Sequence, residues 1–310
     1  MFFAAPARAK LFPDGPFSGK AAGTTGAAFL RLPAGARALA LGGSGVAAVR
    51  DSESMFWNPA GLAVLEEHGL SDVSAAYNML LETSYAGSIA YGRPLGGGRG
   101  ALGASLVYFS QSALQGYDAK GDPTSSFTPS DLAFGLGYGR VVGPVRAGAG
   151  LKFIRSELAG ASGTTFAVDL GVQAERVTEM GEGPLDVGAS LVNLGPPLKL
   201  GGASDPLPFK VQLGTLWHIN PRLNGMLDGH LPVDDDPYAS FGLEFRQVFA
   251  EDFRASLRGG YNVRNERGVD GLAGMSAGFG VELLRGRIDY AWVPFGDLGM
   301  THRITLGFKF

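Results

Sequence analysis

From about Ser71 to the last residue, apolar and polar residues alternate in short runs, and this alternation constrains the fold more than any other feature. In the run 166–172, for example, Phe166, Val168 and Leu170 lie on one face of an extended chain, and Asp169 lies on the other. Strict alternation of this kind is the pattern of a β-strand whose two faces meet different surroundings. Most of the chain is therefore predicted to be all-β.

The alternation predicts about fourteen strands, an even number, as closed single-chain barrels of bacteria require. They are expected near 71–79, 85–94, 100–109, 131–141, 145–158, 162–175, 185–194, 208–219, 223–232, 238–248, 253–263, 272–284, 287–294 and 301–310. The connections 141–145, 220–223, 250–252 and 285–287 are tight, and those at 110–130, 195–207, 233–237 and 264–271 fall on the opposite side. Short periplasmic turns and longer outer loops alternate in this way in outer-membrane barrels, and only 177–184 is long for a periplasmic turn.

Periodicity alone does not choose between a soluble sandwich, whose apolar faces pack together, and a membrane barrel, whose apolar faces meet lipid. Three features favour the barrel. Many of the 49 glycines lie on the polar faces, where they suit a crowded lumen. Aromatic residues such as Tyr138, Trp217 and Trp292 stand near strand ends, as in an interfacial girdle. The chain also ends in an alternating strand on Phe310, which resembles the terminal signal read by the outer-membrane assembly machinery.

The segment before the strands is small, rich in glycine and poor in large apolar residues. Such a segment suits a place where backbone packs closely on backbone, and we predict a plug over 27–63, with a short helix near 36–41. The predicted plug or hatch residues are Gly42, Gly43, Gly45, Trp57, Asn58, Pro59, Ala60 and Gly61. The chain is thus divided into a plug segment, 10–65, and a barrel, 66–310.

The first nine residues end in an Ala-x-Ala pattern. This pattern fits the remnant of a signal peptide, in which case the mature chain begins near Lys10 and is exported. A terminus with a chance Ala-x-Ala is the alternative.

Charged residues on the polar faces are expected to pair inside the lumen, because desolvated charges need partners. The predicted pairs are Lys152 with Asp169, Glu244 with Arg258, and Asp289 with Arg303. We interpret them as braces of the wall, with substrate binding as the alternative for each.

No motif indicates catalysis, a metal or a cofactor, and the chain is predicted not to be an enzyme. The four histidines are scattered without ligand spacing, and there is no cysteine. The run Asp234-Asp-Asp236 is interpreted as a solvated acidic loop tip rather than a weak calcium site. A net charge of −3 gives no support to nucleic-acid binding.

Two segments carry a resemblance to a known family: Phe29–Ala47, which contains Ala-Leu-Gly-Gly-Ser-Gly-Val-Ala, and Trp57–Ala63, which reads Trp-Asn-Pro-Ala-Gly-Leu-Ala. With weaker strand motifs such as Leu257-Arg-Gly-Gly-Tyr261, they make the chain resemble the PorV/PorQ family of outer-membrane proteins, within the FadL-like barrel group. The resemblance covers nearly the whole chain after Lys10. It implies a fourteen-stranded transmembrane antiparallel β-barrel with an N-terminal hatch in its lumen.

The resemblance also implies two roles. FadL-like members take up hydrophobic compounds, whereas PorV-like members serve type IX secretion. The leading hypothesis is therefore a protein of the bacterial outer membrane, in contact with its lipid, that binds or conducts a hydrophobic, fatty-acid-like small molecule. The alternative is a non-transporting partner of secretion-system proteins. A conduit is expected to show an apolar pocket from the outer loops to the hatch, and a partner a sealed lumen with an apolar patch on its outer loops.

Overall fold

The computed structural model describes residues 10–32, 34–81, 83–181, 183–268 and 270–310, so the nine residues of the predicted signal-peptide remnant lie outside it. Within these residues the chain forms a closed antiparallel barrel of fourteen strands, in which the first strand pairs with the last. The predicted barrel is thereby confirmed. Its strands are β1 Asp72–Met79, β2 Ser84–Pro94, β3 Ala101–Gln111, β4 Ser130–Val142, β5 Val145–Leu158, β6 Ala161–Met180, β7 Gly183–Leu194, β10 Lys210–Asn220, β11 Leu223–Pro232, β12 Tyr238–Ala250, β13 Phe253–Asn262, β14 Met275–Leu283, β15 Gly286–Pro294 and β16 Met300–Lys309. The remaining two, β8 Leu198–Leu200 and β9 Ala203–Asp205, form a hairpin of their own in the connection between β7 and β10.

The apolar face of the strands points away from the barrel axis. In β6, Phe166 and Leu170 are 56% and 44% exposed, whereas Asp169 between them is 3% exposed. An outer wall of bare leucine, valine and phenylalanine side chains is stable only against hydrocarbon. The soluble sandwich is therefore excluded, because its apolar faces would have to pack against each other.

The two ends of the barrel differ in their connections. At the end we call the turn end, two-residue turns join β4 to β5, β10 to β11, β12 to β13 and β14 to β15. The long connections 112–129, 195–209 and 263–274 lie at the opposite end, which we call the loop end. One expectation was wrong. The segment 177–184 is no long turn, because β6 continues to Met180 and β7 begins at Gly183, with a register shift between Ala174 and Thr178. Extra residues on β6 are absorbed as a bulge rather than as a loop.

The N-terminal segment enters at the loop end and then descends into the barrel. Residues 10–32, which we call the strap, bond to the loops there, with Phe17 N donating to Val233 O at 2.9 Å and Gly26 N donating to Pro206 O at 2.9 Å. Residues 34–65 lie within the lumen and 66–68 reach the β2–β3 connection at its end; we call 34–68 the hatch.

The hatch is built from short helices, and none of the helices in the described ranges is long and apolar enough to cross a membrane. The helices of the hatch are α1 Ala36–Ala40, α2 Ser54–Trp57, α3 Ala63–His68 and the 3-10 helix Pro59–Leu62. Outside the hatch, the 3-10 helices are Gly19–Ala21 and Ala28–Arg31 in the strap and Gly296–Leu298 between β15 and β16. Gly69, with φ 66°, ends α3 in the left-handed conformation that is typical of helix C-termini. From there the chain enters β1 at the turn end.

Candidate functional site

Close packing of backbone on backbone seats the hatch in the lumen. A Cβ placed on Gly188 of β7 would lie 2.7 Å from Val46 O, and one on Gly242 of β12 would lie 2.8 Å from Leu41 O. Real Cβ atoms do not approach other atoms this closely. The lumen-facing glycines therefore leave the space that the hatch backbone occupies.

Three of the four predicted hatch glycines lie in the turn that follows α1, and the fourth, Gly61, lies in the 3-10 helix Pro59–Leu62. Gly42 and Gly43 have φ angles of 72° and 88°, which residues with a side chain rarely adopt. Gly45 lies against the indole ring of Trp57, and a Cβ added to Gly45 would be 2.8 Å from that ring. The amide groups of Gly45 and Val46 donate to one carboxylate oxygen of the β11 residue Asp228, at 2.8 and 2.9 Å. This turn is thereby bound to the wall.

Trp57 is buried at the centre of the hatch. Its Nε1 donates to Ala34 O at 2.9 Å, and its carbonyl oxygen accepts from Ser190 Oγ at 3.1 Å. The ring packs against Ala38 and Val49. The side chain thus joins both ends of the hatch, and its carbonyl joins the hatch to β7.

Asn58 binds the hatch to the wall through its side-chain amide. The Nδ2 atom donates to Val46 O and Val172 O, each at 3.0 Å, and the Oδ1 atom accepts from Ala60 N at 3.1 Å. Pro59 begins the 3-10 helix Pro59–Leu62, a position at which its missing N–H costs nothing. The Asn-Pro-Ala-Gly motif is therefore bonded to the turn 42–46 of the hatch and to β6.

A network of buried charges connects the hatch to the opposite wall. Arg37 of α1 donates two hydrogen bonds of 3.1 Å to the carboxylate of Glu244 in β12. The same carboxylate accepts from Arg258 Nε of β13 at 2.8 Å, so the predicted contact between Glu244 and Arg258 is present. Glu244 is fully buried, and its negative charge is balanced by these arginines.

The network continues to the other side of the hatch. Asp289 of β15 lies 2.6 Å from Arg258 Nη1 and 3.1 Å from Arg287 Nε, and Arg287 in turn reaches Asp51 of the hatch at 2.6 Å. The predicted partner of Asp289 was Arg303. In the register of β15 and β16, Arg303 lies opposite Ala291, and Asp289 lies opposite Thr305. Arg258 and Arg287, rather than Arg303, hold the Asp289 carboxylate.

The third predicted pair braces the wall on the other half of the barrel. Lys152 Nζ lies 2.7 Å from Asp169 Oδ2 and donates to Asn193 Oδ1 at 2.8 Å. Asp169 also accepts from Asn193 N at 2.8 Å. These three residues connect β5, β6 and β7.

One hatch carboxyl group lies in this charged region without an arginine of its own. Burial, followed by the neighbouring Asp51 carboxylate, raises the pKa of Glu53 to about 8. Its side chain is 3% exposed. The hatch therefore holds a group that is protonated at neutral pH.

A chamber separates the strap from the hatch. It consists of two cavities of about 60 and 250 Å³, both lined by Arg31 and Leu32 of the strap, Trp57 of the hatch and Lys210 of β10. Apolar side chains line most of the smaller cavity: Phe29, Leu30, Leu32, Phe56, Trp57, Val107, Ala133 and Val192. The chamber thus has an apolar part between the strap and the wall.

Four basic side chains line the larger cavity, and two of them, Arg31 and Arg264, are paired with Asp234 and Asp235. Its lining includes Arg31, Lys210, Arg264 and Arg303, and among the described residues no aspartate or glutamate lines either cavity. The ammonium group of Lys210 forms neither a hydrogen bond nor an ion pair with any residue that the structure describes. Our sequence reasoning missed Lys210, although alternation places it on the same face of its strand as the buried Gln212.

The acidic run at 234–236 fastens the strap instead of forming a solvated tip, which corrects the sequence interpretation. Asp234 is 1% exposed and lies 3.0 Å from Arg31 Nη1. Asp235 pairs with Arg264 at 2.7 Å, and Asp236 accepts a backbone N–H of the strap at 2.8 Å. Within the described ranges, no group of three or more histidine or acidic side chains is arranged to hold a metal ion.

The fold is similar to that of two toluene transporters and of a FadL homologue. The Ralstonia pickettii toluene transporter TbuX matches with a TM-score of 0.58 and 14% identity, over 89% of this chain and 97% of that chain. The Pseudomonas putida toluene transporter TodX matches with a TM-score of 0.57 and 12% identity, over 89% and 96%. A Pseudomonas aeruginosa FadL homologue matches with a TM-score of 0.50 and 10% identity, over 89% and 97%.

No curated protein sequence matches the chain. A family model, described as type IX secretion system protein PorV, matches residues 17–220, which include most of the strap, the hatch and the strands through β10. With its closed FadL-like barrel, the chain is a bacterial outer-membrane protein, and it belongs to the PorV family.

Proposed function

We propose that the barrel binds a hydrophobic small molecule with an anionic end in the chamber between strap and hatch, as a step in its passage across the outer membrane. The observation that carries this proposal is the lining of the chamber, apolar on one side and cationic on the other, without a carboxylate. Ligand pockets are typically apolar cavities with a few polar groups that fix orientation.

Lys210 defines the expected orientation of the ligand. A partly buried ammonium group without a partner is unfavourable, and an incoming carboxylate would supply a charge-assisted hydrogen bond. The alkyl part of the ligand would then lie along Phe29, Phe56 and Val107. The likeness to toluene transporters supports the apolar half of this proposal, because their barrels share this architecture.

Passage requires the hatch to move. The hatch fills the lumen below the chamber and is bonded to the wall by Asn58 and Arg37. We propose that the turn 42–46 and the motif 58–61 shift to open a path, since these segments contain the glycine and small residues that pack most closely on the wall.

The test uses the fluorescence of Trp57, which lines both cavities. In the variant Trp217→Phe/Trp292→Phe, Trp57 is the only tryptophan, so the lipid-facing indoles no longer report ligand dissolved in the micelle. Brominated decanoate is titrated into the detergent-solubilised protein. We expect saturable quenching of Trp57 that is weakened about tenfold by Lys210→Gln.

Lys199→Gln is the matched control, because Lys199 is an exposed lysine of β8 at the same end of the barrel. It is expected to bind as the parent does. Quenching that is linear in ligand, or equal in Lys210→Gln and Lys199→Gln, would contradict the proposal.

A second candidate function is a partner role in type IX secretion, which the family match favours. The closed hatch fits this role, and so do the exposed apolar side chains Leu114, Tyr117, Leu272 and Leu298 in the connections of the loop end. Under this hypothesis the loop end contacts exported proteins and the lumen carries nothing.

Secretion in the native bacterium separates the two roles. The partner role predicts that deletion of the gene retains exported proteins in the cell, that Lys210→Gln restores their release, and that Tyr117→Ser/Leu298→Ser does not. Full release by the deletion strain would exclude the partner role.

A further inference from the structure

A second chamber lies beneath the hatch at the turn end. Its volume is about 630 Å³, which is larger than the two cavities above the hatch. Arg37, Ala48 and Arg50 of the hatch form its roof, and side chains of β6, β7, β10, β11 and β12 form its wall. Its rim is made by Pro184 and by the β10–β11 turn residue Pro221. Short turns face the periplasm in outer-membrane barrels, so this chamber is reached from that side.

The acidic groups of this chamber are already engaged. Asp186 lies 2.6 Å from Arg50 Nη2 and 2.8 Å from His218 Nε2. Glu175 pairs with Arg50 and, at 2.8 Å, with Arg146 Nη1. Glu175 therefore has two arginine partners, and Asp186 has one arginine and one imidazole partner, so both carboxylates are already engaged.

One of those arginines, Arg176, is placed by a distortion of the strand. It lies in the bulge of β6 between Ala174 and Thr178, with φ 50°, a strained value for a residue that has a side chain. Asp186 Oδ1 holds this conformation by accepting Arg176 N at 2.8 Å. Bulges commonly redirect a side chain. Arg176 lines the chamber and is exposed, and its guanidinium group forms no hydrogen bond or ion pair with the residues that the structure describes.

A second arginine is only half satisfied. Arg246 Nη2 lies 3.2 Å from Glu244 Oε2, a carboxylate that Arg37 and Arg258 already share. Among the described residues, the buried Nε atom of Arg246 has no hydrogen-bond partner. The Arg246 side chain is nevertheless 35% exposed, so other donors of its guanidinium group are open to a ligand.

We propose that the turn-end chamber binds a small oxyanion with two or more negative charges, held by Arg176 and Arg246. Planar guanidinium groups bind phosphate-like oxyanions through paired hydrogen bonds, which an ammonium group does not offer. This site lies on the opposite side of the hatch from the Lys210 chamber and does not depend on the function proposed for it. Because Arg37 and Arg50 form its roof, the anion lies directly against the hatch.

The test is a calorimetric titration of the detergent-solubilised full chain with inorganic pyrophosphate, at an ionic strength held constant with sodium chloride. We expect saturable binding of one anion per chain. Arg176→Gln and Arg246→Gln are each expected to weaken it about tenfold. The matched control is Arg140→Gln, which removes an exposed arginine near the same end of the barrel but outside the chamber, and it is expected to bind as the parent does.

Three results would overturn the proposal. They are the absence of saturable binding, equal affinity in Arg176→Gln and Arg140→Gln, and loss of binding in Lys210→Gln, which would place the anion in the other chamber. Circular dichroism and thermal unfolding of each variant establish that it is folded. Arg176→Gln removes no ion pair with the described residues, so it serves as the decisive variant.

Discussion

Adding one methyl group at Gly188 tests whether close backbone packing holds the hatch. In Gly188→Ala the new Cβ would lie 2.7 Å from Val46 O and 3.1 Å from the Cα atom of Ala47. Both neighbours are backbone atoms of the hatch, so no side-chain rotation relieves the overlap. The hatch must retreat by about 0.7 Å to reach an ordinary contact, and overpacking of this kind costs about 1–3 kcal/mol.

The retreat also weakens hydrogen bonds. Val46 O accepts from Asn58 Nδ2 at 3.0 Å and from Gln173 Nε2 at 2.9 Å. Each such bond contributes about 1 kcal/mol net, so partial loss of both raises the expected cost to about 2–4 kcal/mol. This cost lowers the free energy of opening the hatch and leaves the barrel strands paired.

Hydrogen exchange of the hatch amides, read by mass spectrometry on peptides covering 42–63, measures this free energy. A loss of about 2–4 kcal/mol accelerates exchange by roughly 30-fold to 1000-fold. Gly229→Ala is the matched control, because this glycine of β11 has no atom within 4 Å of an added Cβ. Equal protection of the hatch in the two variants would refute the packing argument.

Three further predictions concern the hatch. Glu244→Gln removes the buried carboxylate that Arg37, Arg246 and Arg258 share, of which only Arg258 keeps a second carboxylate, and is expected to cost about 3–5 kcal/mol in urea unfolding. Glu282→Gln breaks a partly exposed pair and is expected to cost less than about 1 kcal/mol. The raised pKa of Glu53 stabilises the hatch fully below pH 4.5, and this contribution is lost as the pH rises through about 8. Exchange corrected for its intrinsic rate should therefore accelerate from pH 6 to pH 9 more steeply in the parent than in Glu53→Gln, and equal slopes would contradict this role. Asn58→Asp turns a carboxylate toward backbone carbonyl groups, so the hatch should loosen and the barrel should conduct ions in planar bilayers. The control Asn220→Asp, at an exposed turn, should stay closed like the parent. A closed Asn58→Asp barrel would count against the role of Asn58 in holding the hatch.

The barrel was predictable because its information is local. Alternation within each run identifies a strand, and the short and long connections order the strands around the wall. The bulge near Arg176 was not predictable, since a strand that carries an extra residue loses its period at that point and resembles a loop. The PorV resemblance rested in part on the Asn-Pro-Ala-Gly-Leu motif at 58–62, whose Asn58 side chain bonds to the wall and to the Ala60 amide.

The chamber was not predictable, because it depends on where the strap lies. Asp234 looks like a solvated loop residue in sequence, and its burial follows only when the strap brings Arg31 across the barrel mouth. Lys210 is one lysine in an ordinary strand until the strap and the hatch enclose it. Asp289 and Arg303 were expected to pair because they lie on neighbouring strands. They are not directly opposite each other, and Arg258 pairs with Asp289 instead.

The central claim is that the chamber between strap and hatch is a ligand site, and anomalous diffraction from crystals grown with brominated decanoate tests it most directly. The account predicts a bromine peak between Phe56 and Val107, with the carboxylate at Lys210. Bromine peaks confined to the lipid-facing outer wall, with the chamber unchanged, would contradict it.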